Sequence, residues 1–203
     1  WETEALTEPM GVAVIGLGRF GRQVALPSLA AADYADPTVM VSRSAEKAVS
    51  VAEEYDATGI SEEAYHEGAA AADYDAVYIA TPNATHLDYA RTAAEKGKHV
   101  ICEKPLEATR DRAAELKGVT DDAGVRLMTA YRMQTTPLVR RARELVEQGA
   151  IGLPVRAEGS FNTKPLRGGD ADQWRLDADL GGGGALPDIG IYPLSTVRFI
   201  LDA

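Results

Sequence analysis

From Gly11 to Tyr131 the chain alternates between short apolar runs and stretches whose apolar positions recur at helical spacing. Gly11 to Ile15 is an apolar run entering a cluster of glycines, the pattern of a parallel strand buried on both faces. The same reading places strands at 38–42, around Ile60, at 76–80, 99–102 and 125–129. Between them the spacing predicts helices over 19–31, with a kink or early end at Pro27, over 45–54, from Ile60 through Ala71, over 84–96 and over 109–122. Gly97 closes the fourth of these as a C-cap. Strands alternating with helices of this length predict an α/β fold, a Rossmann-type doubly wound parallel sheet covered on both faces.

Beyond Tyr131 the texture changes. Thr136-Pro137 opens a helix through Gln148 by the Ser/Thr-cap and Pro-at-N1 rule. Val155 to Phe161 alternates like a strand of a different sheet, and a polar, Gly-rich loop runs from Asn162 to Asp172. After Gly181–Gly184 comes an apolar helix, Ala185 to Leu201. Pro187 suits its first turn, whereas Pro193 must kink it or release a backbone carbonyl for a ligand. The expected division is an N-terminal extension (1–10), a dinucleotide-binding domain (11–131) and the incomplete start of an α+β substrate and oligomerisation domain (132–203).

Composition narrows the class. A net charge of −10 argues against a nucleic-acid or anionic-membrane partner. Six lysines stand against fifteen arginines, and thirty-one carboxylates are shared almost equally between Asp and Glu. Few long lysine stems and many short hydrated acids suit concentrated salt, where the screening length falls to about 3 Å at 1 M and self-repulsion is largely cancelled. A halophilic protein is expected. Its first ten residues lack the basic and apolar regions of a signal peptide, and no apolar run approaches a bilayer span. With Cys102 as the only cysteine, the expected setting is cytoplasmic.

Gly16-Leu-Gly18-Arg19-Phe20-Gly21 is a G-x-G-x-x-G directly after a predicted strand and opening a helix, the context that gives the motif meaning. Gly16 permits the tight turn, Gly18 lets backbone approach a pyrophosphate, and Gly21 allows close helix–strand packing. Where an NAD-binding chain places Asp or Glu at the end of the second strand, this one has Ser42-Arg43-Ser44, with Lys47 one turn on. A hydroxyl and a guanidinium suit a 2′-phosphate, so NADP is expected over NAD. Arg43 also reads as a solvated loop charge or an adenine-stacking group.

Ala80-Thr81-Pro82-Asn83 with His86, then Cys102-Glu103-Lys104-Pro105 and Ala130-Tyr131-Arg132, resemble the Gfo/Idh/MocA oxidoreductase family. Asp172-Gln173-Trp174-Arg175-Leu176, the four glycines at 181–184 and Asp188-Ile-Gly-Ile-Tyr192-Pro193 are similar to the branch containing glucose–fructose oxidoreductase and haloarchaeal NADP-dependent D-xylose dehydrogenases. The resemblance implies cofactor contacts at Arg19, Phe20, Pro82, His86, Trp174 and Arg175, a sugar substrate, and a homo-oligomer, dimer or tetramer, at full length. Independently, Thr81, Asn83, Glu103, Lys104 and Arg132 fall at strand carboxyl ends, the rim where open α/β sheets bind ligands.

Asp188 and Tyr192 are four apart and share a helix face. Oxidising a sugar hydroxyl needs a proton acceptor, and free tyrosine, with a pKa of about 10, is a poor one. A neighbouring ammonium would lower that pKa. The expectation is Tyr192 as proton acceptor, Lys104 as its activator and a substrate donor, and Asp188 as a substrate acceptor that fixes Lys104. Each has a plainer reading: a surface lysine, a helix-start acid, a half-buried tyrosine. No metal-ligand spacing joins His66, His86 and His99. The expected activity is NADP-dependent oxidation of C1 of an aldopyranose, D-xylose or D-glucose, to its lactone. Two alternatives are a glucose–fructose oxidoreductase-type reaction with tightly held NADP and a catalytically silent dinucleotide-binding protein.

Overall fold

Six strands form one sheet in the computed structural model, which describes residues 8–163 and 173–202. They are β1 (Met10–Ile15), β2 (Ala35–Ser42), β3 (Thr58–Ser61), β4 (Ala76–Ile79), β5 (His99–Cys102) and β6 (Leu127–Thr129). All pair in parallel in the order β3-β2-β1-β4-β5-β6, so the winding reverses between β1 and β4. A crevice opens outside the carboxyl ends at such a reversal, and ligands bind there.

The continuous apolar runs are explained by burial on both faces of the sheet. One core packs Ile15, Val41, Val77, Ile79 and Val100 against Tyr65, Leu87, Ala90 and Leu116. The other packs Val14 and Met40 against Leu26, Ala48 and Val51, with Tyr78 at its margin. The covering helices are α1 (Leu26–Ala30), α2 (Ala45–Glu53), α3 (Glu62–Glu67), α4 (His86–Glu95) and α5 (Arg110–Asp122). Ser44, Ser61 and Thr109 cap α2, α3 and α5 by accepting from backbone N–H groups three residues on. Gly97, at φ +69°, follows α4 in the left-handed conformation that closes helices. Gly59 brings β3 against α2, since a Cβ there would lie 2.4 Å from the Val49 nitrogen.

The later segments are α6 (Pro137–Glu147), α7 (Ala178–Gly181) and α8 (Ile191–Leu201), the last continuing a π-helical stretch, Leu186–Gly190, so that the helix expected over 185–201 is present. α7 is held on the rim of the sheet. The Asn83 amide donates to the Gly181 carbonyl at 2.9 Å, and a Cβ on Gly182 would sit 2.2 Å from the Ala108 carbonyl oxygen. No helix among the described residues is long and apolar enough to cross a membrane.

The helix expected over 19–31 is present, continuous from Arg19 to Ala30, and widens to π-helical pairing over Gly21–Ala25 just before Pro27. Several expectations need correction. The third helix ends at Glu67, where Gly68 caps it at φ +91°, and does not reach Ala71. The last strand is shorter than 125–129. Thr136 occupies the cap position of α6 without a hydroxyl cap bond, its hydroxyl donating instead to Arg132. Val155–Phe161 is not a strand: its alternation is real, but it pairs with no strand among the described residues, and Val155 is 93% exposed. Most of the extension (1–7) and of the Gly-rich loop (164–172) lies outside the described residues.

Candidate active site

The glycine turn fits its motif at close range. Gly16 has φ +99°, and a Cβ there would lie 2.5 Å from the Ala80 carbonyl oxygen. A Cβ on Gly21 would lie 2.1 Å from the Gly16 carbonyl oxygen. Gly18 differs: a Cβ there would meet nothing within 4 Å, and the residue lines an open cavity. Packing therefore constrains the outer glycines, whereas only a ligand brought against the backbone would constrain the middle one. That is the fit a dinucleotide pyrophosphate requires.

The cavity, of about 580 Å³, lies at the reversal of the sheet. Gly18, Arg19 and Phe20 form one wall, Thr81, Asn83 and Glu103 the floor, and Lys104, Trp174, Arg175, Asp188 and Tyr192 the far side. Residues separated by more than 170 positions meet because β1, β4 and β5 deliver their carboxyl ends to one rim, while Asn83 ties down the segment that precedes Asp188. Ser42, Arg43 and Lys47 do not line the cavity. They follow β2, which neighbours the glycine turn through a hydrogen bond from the Gly16 N–H to the Val41 carbonyl at 3.2 Å. Pro82 and Arg132 lie beside the rim rather than in the lining.

Lys104 is the best-anchored of these groups. Its ammonium donates to the Asp188 backbone carbonyl at 2.6 Å, lies 3.8 Å from the Asp188 carboxylate, and sits 4.7 Å above the centre of the Tyr192 ring. The carbonyl it uses is one that a wide turn would pair with the residue five positions on, and that residue is Pro193, which has no N–H to give. The carbonyl expected to be released is thus taken up by Lys104. Asp188 also meets the Arg175 guanidinium at 3.5 Å, and Arg175 stacks over Trp174.

The electrostatics depart from the expected pairing. Burial draws the Lys104 pKa down; Asp188 and Glu103 pull it up, and Arg175 adds to the fall. Burial and then the Glu103 carboxylate raise the Tyr192 phenol, against the opposing Arg132 and Arg175 cations. The Lys104 ammonium sits over the face of the Tyr192 ring, and the phenol shifts upward, away from the expected phenolate.

His86 is the other correction. Its ring is fully buried, with Nε2 3.1 Å from the Thr81 carbonyl and Nδ1 3.1 Å from that of Leu106, and no ring surface is left for a cofactor. It ties the rim after β4 to the loop after β5. Burial lowers its pKa, outweighing both carbonyls. Phe161, which lines the cavity, and Tyr78, behind it, are among the residues missed from the sequence. Phe161 lies edge-on to Tyr192 at 5.5 Å, and the Tyr78 hydroxyl donates to Glu103 at 2.7 Å. Among the described residues, no group of three or more His, Cys, Asp and Glu could hold a metal ion.

Comparison with known proteins agrees with this geometry. Over its whole length the chain is 48% identical to a D-xylose 1-dehydrogenase [NADP(+)] of Haloarcula marismortui, spanning 58% of that protein. It superposes on an aldose–aldose oxidoreductase of Caulobacter crescentus with a TM-score of 0.84 at 32% identity, covering 96% of this chain and 58% of that one. A 3-ketoreductase of Actinomadura kijaniata, solved with NADP, gives a TM-score of 0.77 at 30% identity over 96% of this chain and 58% of that one. The chain thus spans rather more than half the length of its relatives. Residues 10–131 match an oxidoreductase family described as an NAD-binding Rossmann fold, and residues 139–203 match its C-terminal domain. With that motif, that sheet order and those matches, the chain belongs to the Gfo/Idh/MocA oxidoreductase family.

Proposed function

We propose that this chain carries the cofactor site and the acid–base site of an NADP-dependent dehydrogenase that oxidises C1 of an aldopyranose to its lactone. D-Xylose is the first candidate and D-glucose the second, with residues 132–203 opening a substrate domain and the full-length protein a cytoplasmic homo-oligomer. The observation that carries the reading is the meeting of Lys104, Asp188 and Tyr192 across one cavity from the Gly18 backbone. Likeness to the Haloarcula xylose dehydrogenase supports the sugar and the cofactor.

In this reading the Gly16–Gly21 turn holds the pyrophosphate, and Ser42, Arg43 and Lys47 receive the 2′-phosphate. Thr81, Pro82, Asn83, Glu103 and Arg132 border the dinucleotide on the rim, and Trp174 and Arg175 cover it. Bound NADP supplies a hydride acceptor. The chain must then take one proton from the C1 hydroxyl. Lys104 is taken as the acceptor because it lines the cavity in contact with both the Asp188 carbonyl and the Tyr192 ring, and burial lowers its pKa. The resulting ammonium is met by the Asp188 carbonyl and carboxylate. Tyr192, kept protonated, orients the same sugar hydroxyl by hydrogen bonding. This moves the acceptor role from Tyr192 to Lys104.

The test is a panel of aldoses with NADP and NAD in molar salt, using the longest reading frame that contains this chain. D-Xylose turnover with NADP and formation of xylonolactone are expected. NADP binding without turnover of any aldose would overturn the reading in favour of a silent dinucleotide-binding protein. The likeness to the aldose–aldose oxidoreductase favours one second reading, in which retained NADP cycles between two sugars. Cofactor lost on desalting would exclude it.

A further inference from the structure

Glu103 lines the cavity, as Asp188 does, and it lies on the same face of the sheet as Tyr78. Residues 78 and 101 are paired across β4 and β5, so Tyr78 and Glu103 are diagonal neighbours two residues apart in register. The Tyr78 hydroxyl donates to Glu103 Oε1 at 2.7 Å, while Oε2 faces the backbone N–H of Lys104 at 3.3 Å. Glu103 shares the cavity with Lys104 and Tyr192, whereas Tyr78 stands behind it, packed at the margin of the α1–α2 core. Its hydroxyl meets the cavity through the hydrogen bond to Glu103.

We propose that Tyr78 is a positioning residue, whose hydroxyl holds the Glu103 carboxylate in the cavity floor and so sets how strongly that charge acts on Lys104 and Tyr192. The proposal rests on the dehydrogenase reading above for its functional meaning, though the contact does not depend on it.

The consequences have definite signs. Glu103 favours the charged form of Lys104 and disfavours that of Tyr192. The other groups facing Lys104 are Asp188, Arg175 and the Tyr192 ring; Arg132, Asp188 and Arg175 also act on Tyr192. Glu103 further faces Tyr78, Cys102 and His86, whose ionised forms it respectively disfavours, disfavours and favours. A hydrogen bond from Tyr78 spreads the carboxylate charge and fixes Oε1 in place. Without that bond Glu103 attracts Lys104 more strongly, and the Lys104 titration moves to higher pH. Neutralising Glu103 moves it to lower pH.

The experiment measures the Lys104 titration in cofactor-free protein, as the pH dependence of its acetylation by acetic anhydride, read by peptide mass spectrometry. Wild type, Tyr78→Phe, Glu103→Gln and the double variant are compared at one salt concentration. The expected result is a shift up for Tyr78→Phe, a shift down for Glu103→Gln, and no further shift when Tyr78→Phe is added to Glu103→Gln. An unchanged titration in Tyr78→Phe, or an equal shift in the Glu103→Gln background, would overturn the proposal. Loss of packing alone would not make the effect of Tyr78 depend on the charge at 103. The readout needs no turnover, so expected shifts without activity on any aldose would leave this inference standing and sink the dehydrogenase reading.

Discussion

The Lys104 ammonium and the Asp188 backbone carbonyl, 84 residues apart in the chain, meet at 2.6 Å. This contact joins the end of β5 to the turn before α8, and it leaves the Asp188 carboxylate, at 3.8 Å, to act on Lys104 through space. Two substitutions should therefore move the Lys104 limb of the pH–rate profile in opposite directions. Asp188→Asn removes a charge that raises the Lys104 pKa, so the limb should fall to lower pH. Arg175→Gln removes a cation that lowers it, so the limb should rise. Shifts of the same sign in the kcat profiles would contradict this arrangement.

In the proposed reading the cofactor preference is carried by the end of β2. Arg43→Asp should weaken NADP far more than NAD, because a charge-assisted phosphate contact contributes about 1.5–3 kcal/mol, roughly ten- to a hundredfold in affinity. Fluorescence titration with both dinucleotides reads the ratio. Equal weakening would mean that Arg43 does not recognise the 2′-phosphate.

The dinucleotide half was legible because its signals are local. Buried parallel strands read as apolar runs, and the Gly16–Gly21 turn carries its own conformational requirement. What depended on three dimensions was harder. His86 lies close in sequence to Asn83 on the rim, yet its ring turns inward to the Leu106 carbonyl. The Tyr78–Glu103 contact depends on the register of β4 against β5, which no spacing reveals. Asp188 and Tyr192 do reach one lysine, as their four-residue spacing suggested, but the sign of the Tyr192 shift depended on burial and on Glu103. The alternation of 155–161 showed a preference that takes effect only when a partner strand is present.

Gly59 gives a test of the fold independent of the chemistry. A Cβ 2.4 Å from the α2 backbone must push helix and strand apart, so Gly59→Ala should destabilise by about 1–3 kcal/mol, with little effect on cofactor specificity. Gly18→Ala meets no protein atom, so it should leave the urea midpoint nearly unchanged while weakening NADP binding. A midpoint that falls equally for both would contradict the assignment of Gly18 to a ligand.

The central claim is that Lys104 takes the proton from the sugar hydroxyl while Tyr192 orients it. The most direct measurement is kcat for D-xylose with NADP across pH, comparing Lys104→Met and Tyr192→Phe in the longest reading frame containing this chain. A positioned acid–base group contributes about 10²–10⁴ in rate. Lys104→Met should lose that much together with the limb assigned to Lys104, with NADP affinity almost unchanged. Tyr192→Phe should lose less and keep the limb. A Lys104→Met variant that retains the limb and near-normal turnover, beside a Tyr192→Phe variant that loses both, would contradict the account and return the acceptor role to Tyr192.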